Sequence, residues 1–181
     1  MSPNNNVEKE IFGWFPDEHK IILERIIDEF NIKSVTEIGS FLGKSTVFFA
    51  SKGLKVNAID PFVEWEEGKN NKEAVEEGGK DFYDKFIENT KEFKDLITVY
   101  RKNSKEAFSI VGNADLIYID GSHDFDNVSQ DISMWRQKAN IILCGDDYDH
   151  NWVGVKKAVD KAIFPNKVNI EGRFWWVKIN N

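Results

Sequence analysis

The chain predicts an α/β fold whose sheet is mostly parallel and closes in an antiparallel hairpin. Four short apolar runs each end in carboxylates: 34–37, 56–60, 116–120 and 141–147, finishing at Glu37, Asp60, Asp120 and the pair Asp146 and Asp147. β-branched and apolar runs of this length read as parallel strands buried on both faces, and the longer amphipathic stretches between them read as crossover helices. Two further extended runs meet at Glu171-Gly172, which is hairpin chemistry. Ligands of such sheets bind beyond the carboxyl ends of the strands. Four acidic strand ends therefore mark one edge as the candidate active site.

The elements follow in order. Residues 1–14 are polar at their start and predict a loose arm. Asp17 to Phe30 carries Ile21, Ile22, Ile26, Ile27 and Phe30 at helical spacing, with Pro16 as a start signal. A strand over 34–38 leads through a glycine turn to a helix from about 44 to 52, which Gly53 closes. The second strand is 55–60, stopped by Pro61. Residues 62–94 are heavily charged and predict two helical pieces, the second over 80–93 with Phe82, Phe86 and Phe93 inward. This stretch reads as an insertion with a solvated face, or as a lid hinged near Phe62 and Trp65. A strand over 96–101 and a short helix over 104–111 come next. The strand ending at Asp120 and the helix over 125–138 precede the strand ending at Asp146. A helix over 153–163, with Val155, Ala158, Val159 and Ala162 on one face, leads to strands at 167–170 and 173–179.

Composition narrows the function. At 181 residues, with no linker or internal repeat, the chain reads as a single domain. A net charge of -7 argues against a nucleic-acid partner, which needs a basic face. One cysteine, Cys144, forms no intrachain disulfide and suits a reducing cytoplasm; it reads as a buried strand residue. No apolar run has the length of a membrane span, and the first residues lack the apolar core of a signal peptide.

The turn Gly39-Ser40-Phe41-Leu42-Gly43-Lys44-Ser45-Thr46 resembles a phosphate loop but has three residues before its Gly-Lys pair, where that motif needs four. The dinucleotide fingerprint also fails, because Phe41 and Lys44 stand in place of its second and third glycines. Glu37 would repel a phosphate. An acid beside a glycine turn suits a cationic or hydrogen-bond-donating ligand, and S-adenosylmethionine has both an ammonium and a sulfonium. Asp60, closing the next strand, stands where an acid binds ribose hydroxyls in a βαβ unit.

These residues carry a resemblance. Val35-Thr36-Glu37-Ile38-Gly39-Ser40-Phe41-Leu42-Gly43-Lys44-Ser45-Thr46 is similar to motif I of class I S-adenosylmethionine-dependent methyltransferases, in the form used by catechol-type O-methyltransferases. Ile119-Asp120-Gly121-Ser122-His123-Asp124-Phe125, then Gly145-Asp146-Asp147-Tyr148 and the 154–160 run, resemble the branch called methyltransferase family 24. The similarity covers roughly residues 15–165. It implies a Rossmann-like three-layer sandwich with a seven-stranded sheet, mostly parallel, and a reversed last strand. It also implies cofactor contacts at Glu37, Gly39, Ser40, Phe41, Gly43, Ser45, Asp60, Ser104 and Asp120. Two departures are Lys138-Ala139-Asn140, where the family has a Pro-Gly-Gly turn, and Asn103, where an Asp is common.

A second constellation comprises Asp120, Asp146 and Asp147, at the ends of strands expected to be neighbours. Three carboxylates so placed repel one another unless protons or a cation intervene, and hard oxygens suit Mg²⁺, Mn²⁺ or Ca²⁺. The structural alternative is that Asp146 and Asp147 cap the following segment. The resemblance gives Asp120, Asp146 and Asp147 a divalent ion, Mg²⁺ first, that grips the acceptor hydroxyl. Its base position falls on His123, and histidine is the side chain able to take a proton at cellular pH. His150 lies close to the same acids; His19 reads as surface, and no chemical partner for Lys44 is legible in the sequence.

The expectation is an O-methyltransferase acting on a small-molecule acceptor, a sugar or phenol, with His123 and Asp120 as catalytic residues. Alternatives are a metal-independent transferase using His123 alone and a noncatalytic nucleoside-binding module. Acceptor selection is expected from 62–94 and 148–153, and a homo-oligomer is compatible with the chain.

Overall fold

The computed structural model describes residues 10–64, 71–163 and 168–179. Its first elements are α1 (Asp17–Phe30), β1 (Ser34–Ile38), α2 (Lys44–Ser51) and β2 (Lys55–Asp60). Next come α3 (Asn71–Gly78), α4 (Tyr83–Thr90), β3 (Ile97–Arg101) and α5 (Ser104–Phe108). The rest are β4 (Ala114–Ile119), α6 (Phe125–Trp135), β5 (Ala139–Gly145), α7 (Val153–Ile163), β6 (Asn169–Glu171) and β7 (Phe174–Lys178).

The strands form one seven-stranded sheet in the order β3-β2-β1-β4-β5-β7-β6. The first five strands of that order pair in parallel, and β7 pairs antiparallel with both β5 and β6. This is the predicted Rossmann-like three-layer sandwich.

Strand period explains the layers. Leu116 and Tyr118 enter one apolar cluster with Leu23, Ile26, Phe48 and Phe86, while Ile117 and Ile119 enter another with Ile132, Trp135, Val155 and Val159. Helices α1, α2 and α4 thus cover one face, and α5, α6 and α7 the other. Burial on both faces is why β4 reads as a continuous apolar run. Cys144 is fully buried in β5.

Four local readings change. The predicted helix over 125–138 tightens into a 3₁₀ turn at Arg136–Lys138, because Ala139 must turn extended to begin β5. Ile21 is 68% exposed, whereas His19, expected on the surface, is 2% exposed. The buried stripe of α1 is His19, Leu23, Ile26 and Ile27, an i, i+4, i+7, i+8 series. The near end of the N-terminal arm is not loose: Ile11 is buried in the first cluster, as is Phe15 just beyond the arm. Most of that arm, residues 1–9, lies outside the described residues.

The described part of the 62–94 stretch is tied to the core. Val63 bridges Asp81, the amide of Phe82 donates to the carbonyl of Phe62 at 3.1 Å, and Phe62, Phe82 and Phe86 are all buried. Trp65, placed at a hinge by the sequence, lies outside the described residues. No helix among the described residues is long and apolar enough to cross a membrane.

Candidate active site

Parallel register brings the acidic strand ends level. Ile38 pairs with Ile59 of β2 and Ile119 of β4, and Ile119 pairs with Gly145 of β5, so Gly39, Asp60, Asp120 and Asp146 emerge side by side. The next amides stitch them together: Gly39 to the Ile59 carbonyl at 2.9 Å, Asp120 to Ile38 at 2.9 Å and Asp146 to Ile119 at 3.3 Å. Over this edge opens a cavity of about 560 Å³, within the usual size of small-ligand sites.

Among the predicted site residues, Gly39, Ser40, Phe41, Ser45, Asp60, Ser104, Asp120, His123, Asp146 and Asp147 line this cavity. Glu37 and Gly43 stand behind its wall. Glu37 is fully buried and accepts from the Thr46 hydroxyl. Burial raises its pKa, outweighing the Ser45, Thr46 and Ser40 hydroxyls that lower it. Gly43 backs onto α4: a Cβ there would sit 2.7 Å from Thr90 Cγ2 and 3.2 Å from the Phe86 ring. These two residues shape the turn from below.

The turn itself depends on left-handed backbone. Gly39 and Gly43 have φ of 93° and 90°, and Phe41 adopts φ 44°, an unusual value for a bulky residue. Asp60 pins that conformation, its Oδ2 accepting from the Phe41 amide at 2.9 Å and its Oδ1 from the Phe62 amide at 2.6 Å. Burial raises the Asp60 pKa to about 6 against those amides, which lower it. The Ser40 hydroxyl is buried close to the Glu37 carboxylate, whose pKa it lowers. Ser40 and Asp60 both line the cavity, a hydroxyl and an acid of the kind that binds a nucleoside-type cofactor.

Opposite lies the acid cluster. Asp120, Asp146 and Asp147 each present an oxygen within 4.8 Å of the others. Asp120 has its pKa raised well above the usual carboxylate value, by burial first and then by Asp146 and Asp147. Tyr118 donates its hydroxyl to Asp120 Oδ2 at 3.0 Å. Asp147 holds φ 64°, left-handed backbone of the kind found at functional sites. Its Oδ2 meets His123 Nε2 at 2.8 Å, and the His123 ring stacks on Trp152 with centroids 3.8 Å apart. The imidazole is thus fixed by a carboxylate and an aromatic face. His150 does not line the cavity. Lys44 has a partner after all, donating to the Gly13 carbonyl at 3.0 Å.

Several residues escaped the sequence reading. Arg173 places Nη2 3.1 Å from Asp146 Oδ2 and Nη1 3.6 Å from Asp147 Oδ1. Its sequence position, next to a hairpin turn, held no hint of this. His19 Nδ1 stands 3.2 Å from Asp146 Oδ2 without forming a hydrogen bond to it; its helical register with Leu23 and Ile26 was a usable signal. Trp14 stacks against Phe41 at the cavity mouth.

Asp131 on α6 also lines the cavity, bonded to the Ser104 hydroxyl, and burial raises its pKa from 3.8 to about 6. The folded chain therefore holds this proton between pH 3.8 and about 6, where the unfolded chain releases it. The contribution is fully present below the lower value and lost as pH rises through the upper one. Asp131→Asn should raise stability at pH 7.5 by about 3 kcal/mol and flatten the stability profile between pH 4 and 6. Denaturant melts across that range would show it.

The profile of a family described as a methyltransferase domain matches residues 36–148. No curated protein matches the sequence significantly. Among solved structures, the chain is similar to one assigned as a caffeoyl-CoA O-methyltransferase from Staphylococcus aureus, with TM-score 0.63 and 15% identity over 97% of this chain and 88% of that one. A protein assigned as an O-methyltransferase from Klebsiella pneumoniae gives TM-score 0.62 and 14% identity over 98% and 87%. The calicheamicin methyltransferase CalS11 gives TM-score 0.64 and 12% identity over 91% and 79%. At these identities the likeness establishes the fold.

Proposed function

The chain belongs to the methyltransferase domain family, as a class I S-adenosylmethionine-dependent enzyme of the family 24 branch, and on that premise we propose that it methylates a hydroxyl oxygen of a small molecule. The observation that carries this reading is the His123–Asp147 pair, 2.8 Å apart, in the same cavity as the glycine turn and Asp60. A base held on one wall and a nucleoside cradle on the other suit in-line transfer to an oxygen. The O-methyltransferases of similar fold, one named for a coenzyme A ester and one for a rhamnose 3'-hydroxyl in calicheamicin biosynthesis, support an oxygen acceptor.

The cofactor supplies the activated methyl group on its sulfonium. Ser40 and the turn at Gly39 would hold its amino-acid end, Asp60 its ribose, and Ser104 with Asp131 the far end of the cavity. His123 takes the acceptor proton; Asp147 and Trp152 keep its ring in one orientation, which is most of what makes a base effective. The acceptor is a sugar or a phenol.

The donor set fits a divalent ion: three hard carboxylates, two of them buried, share the site, and Asp120 is pushed toward protonation when no cation is present. Asp120, Asp146 and Asp147 would hold it, and its chemistry there is to grip and acidify the acceptor hydroxyl. A metal-independent transferase, with His123 working alone, is favoured by one observation, the contact of Arg173 with two of the three acids.

A single experiment tests the proposal. Purified protein is assayed for methyl transfer from S-adenosylmethionine to sugars and phenols, with and without chelator, beside melting curves with S-adenosylhomocysteine, NAD and ATP. S-adenosylhomocysteine should raise the Tm, since binding only the folded state stabilises it; NAD and ATP should not. Chelator should stop transfer and leave the melting shift intact, because the cofactor cradle lies on β1 and β2 while the acids lie on β4 and β5. Transfer that persists in chelator would select the metal-independent reading. Binding without transfer to any acceptor would refute the proposal.

A further inference from the structure

We infer that Arg173 is the resident counter-cation of the acid cluster and competes there with a divalent ion, an inference that rests on reading Asp120, Asp146 and Asp147 as ion ligands. Arg173 follows Gly172, whose φ of 63° makes the β6–β7 turn, and its carbonyl accepts from the Tyr148 amide at 2.9 Å. The backbone is thus anchored beside the acids, and the long side chain bridges two of them at 3.1 and 3.6 Å.

The other oxygens of these two acids are engaged as well. Asp146 Oδ1 accepts from the Asp147 amide at 2.5 Å, and Asp147 Oδ2 faces His123. An ion taking one oxygen from each acid must therefore share Asp146 and Asp147 with the guanidinium. Like charges that share two carboxylates a few ångströms apart repel one another. A guanidinium cannot relieve this by losing its proton. In the ion-free state Arg173 offsets the charge of Asp146 and Asp147 and keeps the cluster assembled; ion binding weakens its hold. Affinity for the ion is set by this competition, and therefore by a residue from the last hairpin of the sheet.

The test is binding of Mn²⁺ alone, by calorimetry, to wild type, Arg173→Gln and Arg173→Lys, each checked by a melting curve. Arg173→Met, which keeps the apolar stem and drops the charge, repeats the measurement if the Gln variant fails to fold. The charge-free variants should bind Mn²⁺ about tenfold tighter or more, and Arg173→Lys, which keeps the charge, should stay near wild type. Equal or weaker binding by the charge-free variants, abolished in each case by Asp146→Asn, would overturn the competition and leave the ion site standing. No Mn²⁺ binding by any variant, or binding indifferent to Asp146→Asn, would remove the ion site and the inference with it.

Discussion

Replacing His123 by alanine is expected to slow methyl transfer by about 10²–10⁴-fold, the usual worth of a positioned general base, while S-adenosylhomocysteine binding stays near wild type. The separation follows from position. His123 sits beyond β4, bonded to Asp147 at 2.8 Å and stacked on Trp152, whereas the cofactor cradle is carried by β1 and β2. The loss should appear in kcat rather than in cofactor affinity, because the imidazole acts on the acceptor proton. Trp152→Leu should give a smaller loss of the same kind, as the ring keeps Asp147 but loses its aromatic support. Wild-type turnover by the His123→Ala protein would exclude the residue as base.

Gly39→Ala is expected to damage both stability and cofactor binding. With φ 93°, Gly39 already occupies backbone that side chains avoid. A Cβ there would overlap the Asp120 carbonyl oxygen and lie 2.6 Å from its carbon and 2.7 Å from Gly121 Cα. Those obstacles are backbone and cannot swing aside. The loops after β1 and β4 would separate, parting the cofactor turn from Asp120. The cost should be on the order of 3 kcal/mol or more in denaturant melts, with S-adenosylhomocysteine binding weakened at least about tenfold. Gly53→Ala provides the control: its φ is 78° but a Cβ would meet nothing within 4 Å. It should cost only about 1 kcal/mol. Equal losses at the two glycines would mean that the close approach of the loops contributes nothing.

Much of the candidate site was legible because parallel strands end in register. Once 34–38, 55–60, 116–120 and 141–147 are read as strands, their terminal acids must share an edge. Glu37 shows where that inference stops. It closes an apolar run like the others, yet its carboxylate is held by Thr46 of α2 behind the cavity wall. Glu37 lies inside β1, two residues short of the level edge that Gly39 shares with Asp60 and Asp120, and register rather than run length decides which acid reaches the cavity. His19 was misread for a different reason. The exposed Ile21 and half-buried Ile22 drew the helical stripe away from the true one, which runs through His19, Leu23, Ile26 and Ile27.

What the sequence by itself determined is the order of elements, the mostly parallel sheet with a terminal hairpin, the glycine turn and the edge on which the chemistry lies. Those follow from periodicity and turn residues, which act over a few neighbouring positions. Tertiary structure alone decided the partners of the acids. Arg173 reaches Asp146 across 27 residues, Asp131 binds Ser104 across 27, and His123 meets Asp147 across 24. None of these pairs shares a helix or strand. Each exists because hairpin, helix and loop converge on one sheet edge, where buried charges must find partners and chain separation no longer counts.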